Sequence, residues 1–301
     1  MSDQITFDNR VAIVTGGGGG LGRAYCAELA RRGAKVVVND LGGGTDGTGS
    51  GTSAADAVVE GIKAAGGEAI ANYDSVATPE GGQAITQAAL DAFGTVDIVI
   101  NNAGTLRDKS FASLDMEDLR AIVEVHLYGA FHVTQPAFRV MKEKGYGRIL
   151  NTASGAGVWG NFGQSNYGAA KMGLVGLTNV LAVEGAKYNI KANVIAPIAK
   201  SRLTEDLLGP MADALAPDLV MPLSLFLVSE ACELTHEIFS LGGGRYARAF
   251  IGLTPGWTAE KGAKPSIEDI RDHLGDIRAE DGYIVPTGIN DEMALLMQAL
   301  S

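Results

Sequence analysis

Val11-Ala-Ile-Val-Thr-Gly-Gly-Gly-Gly-Gly-Leu-Gly22 is the stretch that decides the fold. Val11–Thr15 is a short, apolar, β-rich run of the kind buried on both faces in a parallel sheet. Gly16, Gly20 and Gly22 follow it in the pattern Thr-Gly-x-x-x-Gly-x-Gly, ahead of a helical stretch at Leu21–Arg32. Without side chains the turn tightens, and a pyrophosphate can rest on the helix N-terminus. A glycine run alone is weak evidence, so its surroundings matter. The next strand, Lys35–Asn39, leads into Asp40, eighteen residues beyond Gly22. A carboxylate there can accept both hydroxyls of an adenosine ribose. It also repels a 2′-phosphate, and neither Gly19 nor Leu41 offers a compensating cation. The expected cofactor is NAD rather than NADP.

The alternation continues outward from this unit. Further strands are expected at Glu68–Asn72, Asp97–Ile100, Arg148–Thr152, Lys191–Ile195 and Ile238–Leu241. Helices are expected at Ser53–Ala65, Gly81–Phe93, Met116–Met141, Tyr167–Tyr188 and Asp218–Val228. Such alternation marks βαβ units. The fold class is therefore α/β: a Rossmann-type doubly wound parallel sheet of seven strands, with ligands at its carboxyl edge and a C-terminal extension. Residues 1–245 form the dinucleotide-binding and catalytic domain. Residues 246–301 are too few for a core of their own and are expected to pack on the main body or a neighbouring subunit. They carry a capping box, Ser266-Ile-Glu-Asp269, and an amphipathic helix near Asp291–Leu300. Gly42–Gly51 reads as solvated slack beside the expected ribose.

Other residues at strand ends join the cofactor site. Leu21 lies in the glycine turn, and Asp74 with Ser75 follows the third strand, where the aspartate either reaches the adenine amine or caps a solvated turn. Asn101-Asn102-Ala103-Gly104 closes the fourth strand. There Asn102 can stitch strands together, while Gly104 lets the nicotinamide ribose approach. The chemistry falls to Ser154, Tyr167 and Lys171. Residues four apart share a helix face, so Tyr167 and Lys171 point together. An ammonium and a positive nicotinamide ring both favour a phenolate, which would take the hydroxyl proton as the carbinol hydride leaves. Ser154 would hold the substrate oxygen, and Lys171 would also anchor the nicotinamide ribose.

Together Thr-Gly-x-x-x-Gly-x-Gly, Asn-Asn-Ala-Gly and Ser…Tyr-x-x-x-Lys resemble the short-chain dehydrogenase/reductase family over about residues 8–245. The resemblance implies that Ser154, Tyr167 and Lys171 are catalytic, and that the protein forms a homo-oligomer, a dimer or a tetramer. Most members add an asparagine that distorts a helix behind the site and binds a relay water. His126 stands at that position here, in Val125-His-Leu-Tyr-Gly-Ala-Phe131. It can bond a backbone carbonyl, bind the water, or simply pack. Val-His-Leu is similar to the (3R)-hydroxyacyl-CoA dehydrogenase branch found in peroxisomal multifunctional enzyme type 2. Asn39-Asp-Leu-Gly-Gly43, Ala71-Asn-Tyr-Asp-Ser-Val76, Leu106-Arg-Asp108, Gly160-Asn-Phe-Gly-Gln164 and Ser201-Arg-Leu-Thr204 are similar too. That branch implies a 3-hydroxyacyl-CoA substrate; it is also called a 17β-hydroxysteroid dehydrogenase, so a steroid or other secondary alcohol is the alternative. Pro197-Ile198 replaces the usual Pro-Gly, and its backbone can still hold the carboxamide, with Thr204 or Ser201 as further candidates.

Composition sets the outer limits. A net charge of −11 argues against nucleic acid and anionic membranes as partners. It also makes a CoA ligand depend on local cations, for which Lys200, Arg202, Arg245 and Arg248 are placed near the expected mouth. Cys26 and Cys232 form no disulfide framework and have no metal-ligand spacing. No apolar signal core or membrane-length stretch is evident, and Ala299-Leu300-Ser301 is not the Ser-Lys-Leu peroxisomal address. The expected compartment is the cytoplasm.

Overall fold

Val36 and Val38 point to one side of their strand and Val37 to the other, and all three are fully buried. Helices must therefore cover both faces of the sheet. The computed structural model describes residues 4–44, 46–200 and 214–300, and the sheet among them has eight strands. These are β1 (Val11–Thr15), β2 (Lys35–Asn39), β3 (Glu68–Asn72), β4 (Ile98–Asn101), β5 (Gly147–Thr152), β6 (Ile190–Pro197), β7 (Ile238–Gly242) and β8 (Arg245–Ala249). Their order is β3-β2-β1-β4-β5-β6-β7-β8, and the pairings from β3 through β7 are parallel. The sheet is thus one strand wider than the seven expected. Gly243 and Gly244, both at positive φ, form a two-residue turn that brings β8 back beside β7. A connection that short can join only antiparallel strands.

The helices are α1 (Gly20–Arg31), α2 (Ser53–Ala64), α3 (Pro79–Phe93), α4 (Met116–Val123), α5 (Gly129–Lys144), α6 (Gly155–Val158), α7 (Ser165–Gly185) and α8 (Met221–Leu227). On one face Val14, Val36, Val38 and Ile100 pack with Leu29, Val58, Ile62 and Leu225. On the other, Ile13, Val37 and Val99 pack with Ile85, Val133, Ala137 and Met141. α3 starts two residues earlier than expected because Pro79 suits the first turn and Thr78 Oγ1 caps it, accepting from Gly81 N at 3.1 Å. The helix expected as one piece over Met116–Met141 is interrupted. A π turn at Glu124–Tyr128 separates α4 from α5, and His126 lies at its centre.

Buried amides tie the later helices to the sheet. Asn101 Nδ2 donates to Asn151 Oδ1 and to Thr134 Oγ1 of α5, each at 2.8 Å. Asn151 Nδ2 donates to Thr178 Oγ1 of α7, again at 2.8 Å. Such a satisfied network fixes helix position in a way that apolar contact alone does not. α7, which carries Tyr167 and Lys171, is held in register with β5 in this manner.

The chain divides into compact units at 248/249, three residues after the expected boundary, because β8 belongs with the sheet. The second unit has α9 (Ile267–Asp272), α10 (Leu274–Ile277) and α11 (Ile289–Leu300). Its expected capping box is present: Ser266 Oγ accepts from Asp269 N, and the Asp269 carboxylate accepts from Ser266 N. Trp257 stacks on His273 and Phe250 on Tyr283, with ring centres 4.1 and 5.7 Å apart.

Candidate active site

The strand order reverses between β1 and β4, and at their carboxyl ends lies a cleft of about 510 Å³. Doubly wound sheets bind ligands at this switch point. The cleft brings together Gly16, Gly20, Leu21, Asp40, Asp74, Ser75, Asn102, Gly104, His126, Ser154, Tyr167, Lys171, Pro197 and Ile198. Thr204, Ser201 and Arg202 lie outside the described residues. Lys200, Arg245 and Arg248 do not line the cleft, and Lys171 is its one Lys or Arg among the described residues.

One end has the features a dinucleotide requires. Gly19, the N-cap of α1, makes no side-chain cap bond, and the first turn of the helix opens on the cleft. Unopposed N–H groups at such a terminus attract phosphate. Asp40 is clamped by backbone: Oδ2 accepts from Gly18 N at 2.9 Å and Oδ1 from Gly42 N at 2.7 Å. Only glycine fits at position 18, since a Cβ there would stand 2.8 Å from Asp40 Oδ2. Asp74 is held by Asn72 Nδ2 at 2.7 Å, and Asn39 Nδ2 in turn donates to Asn72 Oδ1 at 2.8 Å. Asn102 does stitch strands, donating through Nδ2 to the carbonyls of Thr15 and Gly16 at 3.1 and 3.2 Å. Gly43, Gly44 and Gly47 line the cleft, and Arg107 Nε holds this loop by donating to Asp46 O at 3.1 Å. The glycine loop is therefore part of the wall rather than slack.

At the other end Ser154 caps α6, its Oγ accepting from Ala156 N at 3.2 Å. Tyr167 and Lys171 sit one turn apart on α7. Lys171 Nζ donates to Thr152 O at 2.6 Å and lies 5.5 Å from the centre of the Tyr167 ring. His126 meets that ring edge-on, with centroids 5.1 Å apart. Its Nε2 faces both backbone groups of Thr105, 3.1 Å from the N–H and 2.8 Å from the carbonyl oxygen, so either tautomer finds a partner there. Nδ1 is left buried without a partner beside a space of about 10 Å³ lined by Thr15, Asn101 and Lys171 among others. Gly104 serves the imidazole as well as the cleft: a Cβ there would lie 2.4 Å from His126 Cε1.

A model of the family described as short chain dehydrogenase matches residues 10–206. The chain belongs to the short-chain dehydrogenase family. Its members are NAD(P)-dependent oxidoreductases acting on CH–OH groups, and so is this chain. It is 49% identical over 263 residues to a short-chain type dehydrogenase/reductase of Mycobacterium tuberculosis, covering 87% of this chain and 91% of that one. Over 275 residues it is 50% identical to mouse peroxisomal multifunctional enzyme type 2, covering 91% of this chain but only 37% of that enzyme. The full-length structure of the Drosophila melanogaster peroxisomal multifunctional enzyme type 2 superimposes with a TM-score of 0.82 at 36% identity, covering 98% of this chain and 50% of that one. No helix among the described residues is long and apolar enough to cross a membrane.

Electrostatics in this short-chain dehydrogenase differ from expectation at the tyrosine. Burial raises the Tyr167 phenol above its ordinary value; a hydrogen bond from Ser154 pulls it down, and the charge of Asp108 pushes it up. Burial also brings Lys171 down to about 7. His126 is pushed well below the usual histidine range by burial and then by Lys171, against the bond to Thr105. Sequence reasoning also missed cleft residues: Leu106, Trp159, Asn161 and Gln164 line it. Asn161 and Gln164 fall in Gly160-Asn-Phe-Gly-Gln164 and Leu106 opens Leu106-Arg-Asp108, blocks whose likeness carries no chemistry of its own, while Trp159 lies outside both.

Proposed function

We propose that this dehydrogenase oxidises the 3-hydroxyl of (3R)-hydroxyacyl-CoA thioesters to the 3-ketoacyl form, with NAD. One observation carries the reading. A phenol, a serine hydroxyl and a buried amine meet at one end of a cleft whose other end presents a backbone-clamped carboxylate. We assign the pyrophosphate to the Gly16–Leu21 turn, the adenosine ribose to Asp40 and the adenine to Asp74 and Ser75. Asn102, Gly104, Tyr167, Lys171, Pro197 and Ile198 take the nicotinamide end, and Thr204 belongs with them on sequence grounds. Bound there, NAD supplies the hydride acceptor. NADP is disfavoured because both Asp40 carboxylate oxygens are held by backbone N–H groups at this end, and no Lys or Arg lines the cleft beside them among the described residues.

The chain's own groups then handle the proton. Ser154 Oγ holds the carbinol oxygen. Tyr167 Oη takes the hydroxyl proton and passes its own toward Lys171 Nζ, which at about 7 is able to accept it near neutral pH. His126 braces the phenol edge-on. Its Nδ1 is assigned a water in the adjoining space, which is of the size that holds one. The thioester assignment rests on the sequence blocks around Asn39, Leu106 and Gly160. A second reading, oxidation of hydroxysteroids or other uncharged secondary alcohols, is favoured by the scarcity of cations lining the cleft among the described residues. We place the enzyme in the cytoplasm, as a homo-oligomer. The test is a panel of R- and S-3-hydroxyacyl-CoAs and steroid 17β-alcohols with NAD. Turnover of the R-thioesters is expected; rapid steroid turnover with none on the thioesters would overturn the substrate assignment.

A further inference from the structure

We propose that Gln164 determines specificity, its side-chain amide donating a hydrogen bond to the thioester carbonyl of the substrate, and that Asp108 sets the orientation of that amide. The proposal rests on the hydroxyacyl reading above. Gln164 lines the cleft three residues before Tyr167 and is 7% exposed. Both ends of its amide are held: Oε1 accepts from Asn161 Nδ2 at 2.9 Å, and Nε2 donates to Asp108 Oδ2 at 2.7 Å. A carboxylate only accepts, so Asp108 decides which end of the amide is the donor. Nε2 carries two hydrogens, and Asp108 takes one of them.

The surrounding backbone keeps the amide from swinging. Lys109 N donates to Gly163 O and Asn166 Nδ2 to Arg107 O, both at 2.9 Å. The segment after β4 and the segment before α7 are thus clipped together on both sides of the Asp108–Gln164 contact. The remaining N–H of a nearly buried donor is costly to leave unmatched once a ligand displaces water from the cleft. In a 3-hydroxyacyl thioester the carbonyl carbon is one methylene from the carbinol carbon. With the carbinol oxygen between Ser154 and Tyr167, we place the carbonyl oxygen toward Gln164, which lines the same cleft. Leu106 and Ile198, which line it too, have no side-chain donor. Asn161 directs an amide N–H at Gln164 Oε1, which leaves the indole N–H of Trp159 as another donor on that wall.

The experiment uses two ligands, 3-hydroxybutyryl-CoA and the CoA thioether in which its carbonyl is replaced by CH2. Wild type, Gln164→Met and Asp108→Asn are compared for KM, kcat and thioether inhibition, with NADH binding as the control for an intact fold. Wild type is expected to bind the thioester about tenfold better than the thioether, the worth of one neutral hydrogen bond. In Gln164→Met the thioester KM rises about tenfold, kcat falls far less, and the preference over the thioether disappears. Asp108→Asn shifts the same ratio in the same direction by a smaller factor, because its amide lets the Gln164 amide turn over. Equal weakening of both ligands, or a preference that survives in Gln164→Met, would overturn the assignment. A wild type inactive on the thioester would instead remove the reading beneath it, and the assignment with it.

Discussion

Adding one methyl group at Gly104 tests the packing behind the candidate active site. In Gly104→Ala the new Cβ would lie 2.4 Å from His126 Cε1, so the ring must retreat by about 1 Å to reach an ordinary carbon contact. It has little freedom to do so. Tyr167 meets it edge-on, Thr105 O holds Nε2, and the space beside Nδ1 is only about 10 Å³. Overpacking plus a strained or lost hydrogen bond corresponds to about 2–4 kcal/mol of lost stability. Displacement transmitted to the phenol would lower turnover by about 100-fold, as small misplacements of reacting groups do. Urea unfolding and NAD-dependent turnover measure the two effects separately. His126→Ala made in the same chain removes the obstruction, so the double variant should be more stable than the sum of single changes predicts, by about 1–3 kcal/mol. If Gly104→Ala unfolds at the wild-type denaturant concentration, or the two changes simply add, the wedge described here is wrong.

Three further outcomes are expected. Tyr167→Phe should lose about 10²–10⁴ in kcat with NADH binding retained, and turnover near that of wild type would refute the proton role. Asp40→Ala should narrow the preference for NAD over NADP, read as the ratio of kcat/KM values; an unchanged ratio would remove the ribose argument. For Lys171 the folded state holds its proton more weakly than the unfolded chain, with a value of about 7 against an ordinary lysine. Burial therefore costs most below pH 7, and the cost fades as pH rises from 7 toward 10. Lys171→Met should gain stability relative to wild type chiefly at pH 6, and the gain should shrink by pH 9 in urea titrations; a pH-independent difference would contradict the depressed value.

What could be read from the sequence follows from periodicity and from glycine. The strands through β7 lie within two residues of their expected ends at each terminus, because their buried β-branched runs have no alternative partner. β8 escaped because Arg245-Tyr-Ala-Arg-Ala249 has no such run, although the Gly243-Gly244 pair before it is a hairpin signal. The π turn leaves no mark in the periodicity of Glu124-Val-His-Leu-Tyr128, and only the likeness of the His126 position to a helix-distorting one in the family pointed there. Asp40 was legible from its distance to Gly22, but the clamp by Gly18 and Gly42 was not, because it depends on how two loops meet. The expected lowering of Tyr167 assumed that Lys171 would act as a nearby charge. In the fold both groups are buried, and desolvation is the leading influence on each.

The π turn has a consequence for any attempt to shorten or regularise this protein. One surplus residue in a helix rotates everything after it by about 100°, the angle between successive side chains at 3.6 per turn. The turn therefore aims His126 at the phenol while the helix after it aims Val133, Ala137 and Met141 at the core. Deleting any one residue between Glu124 and Tyr128 would leave a better helix and a worse enzyme, with one of those two sets of side chains turned away from its target.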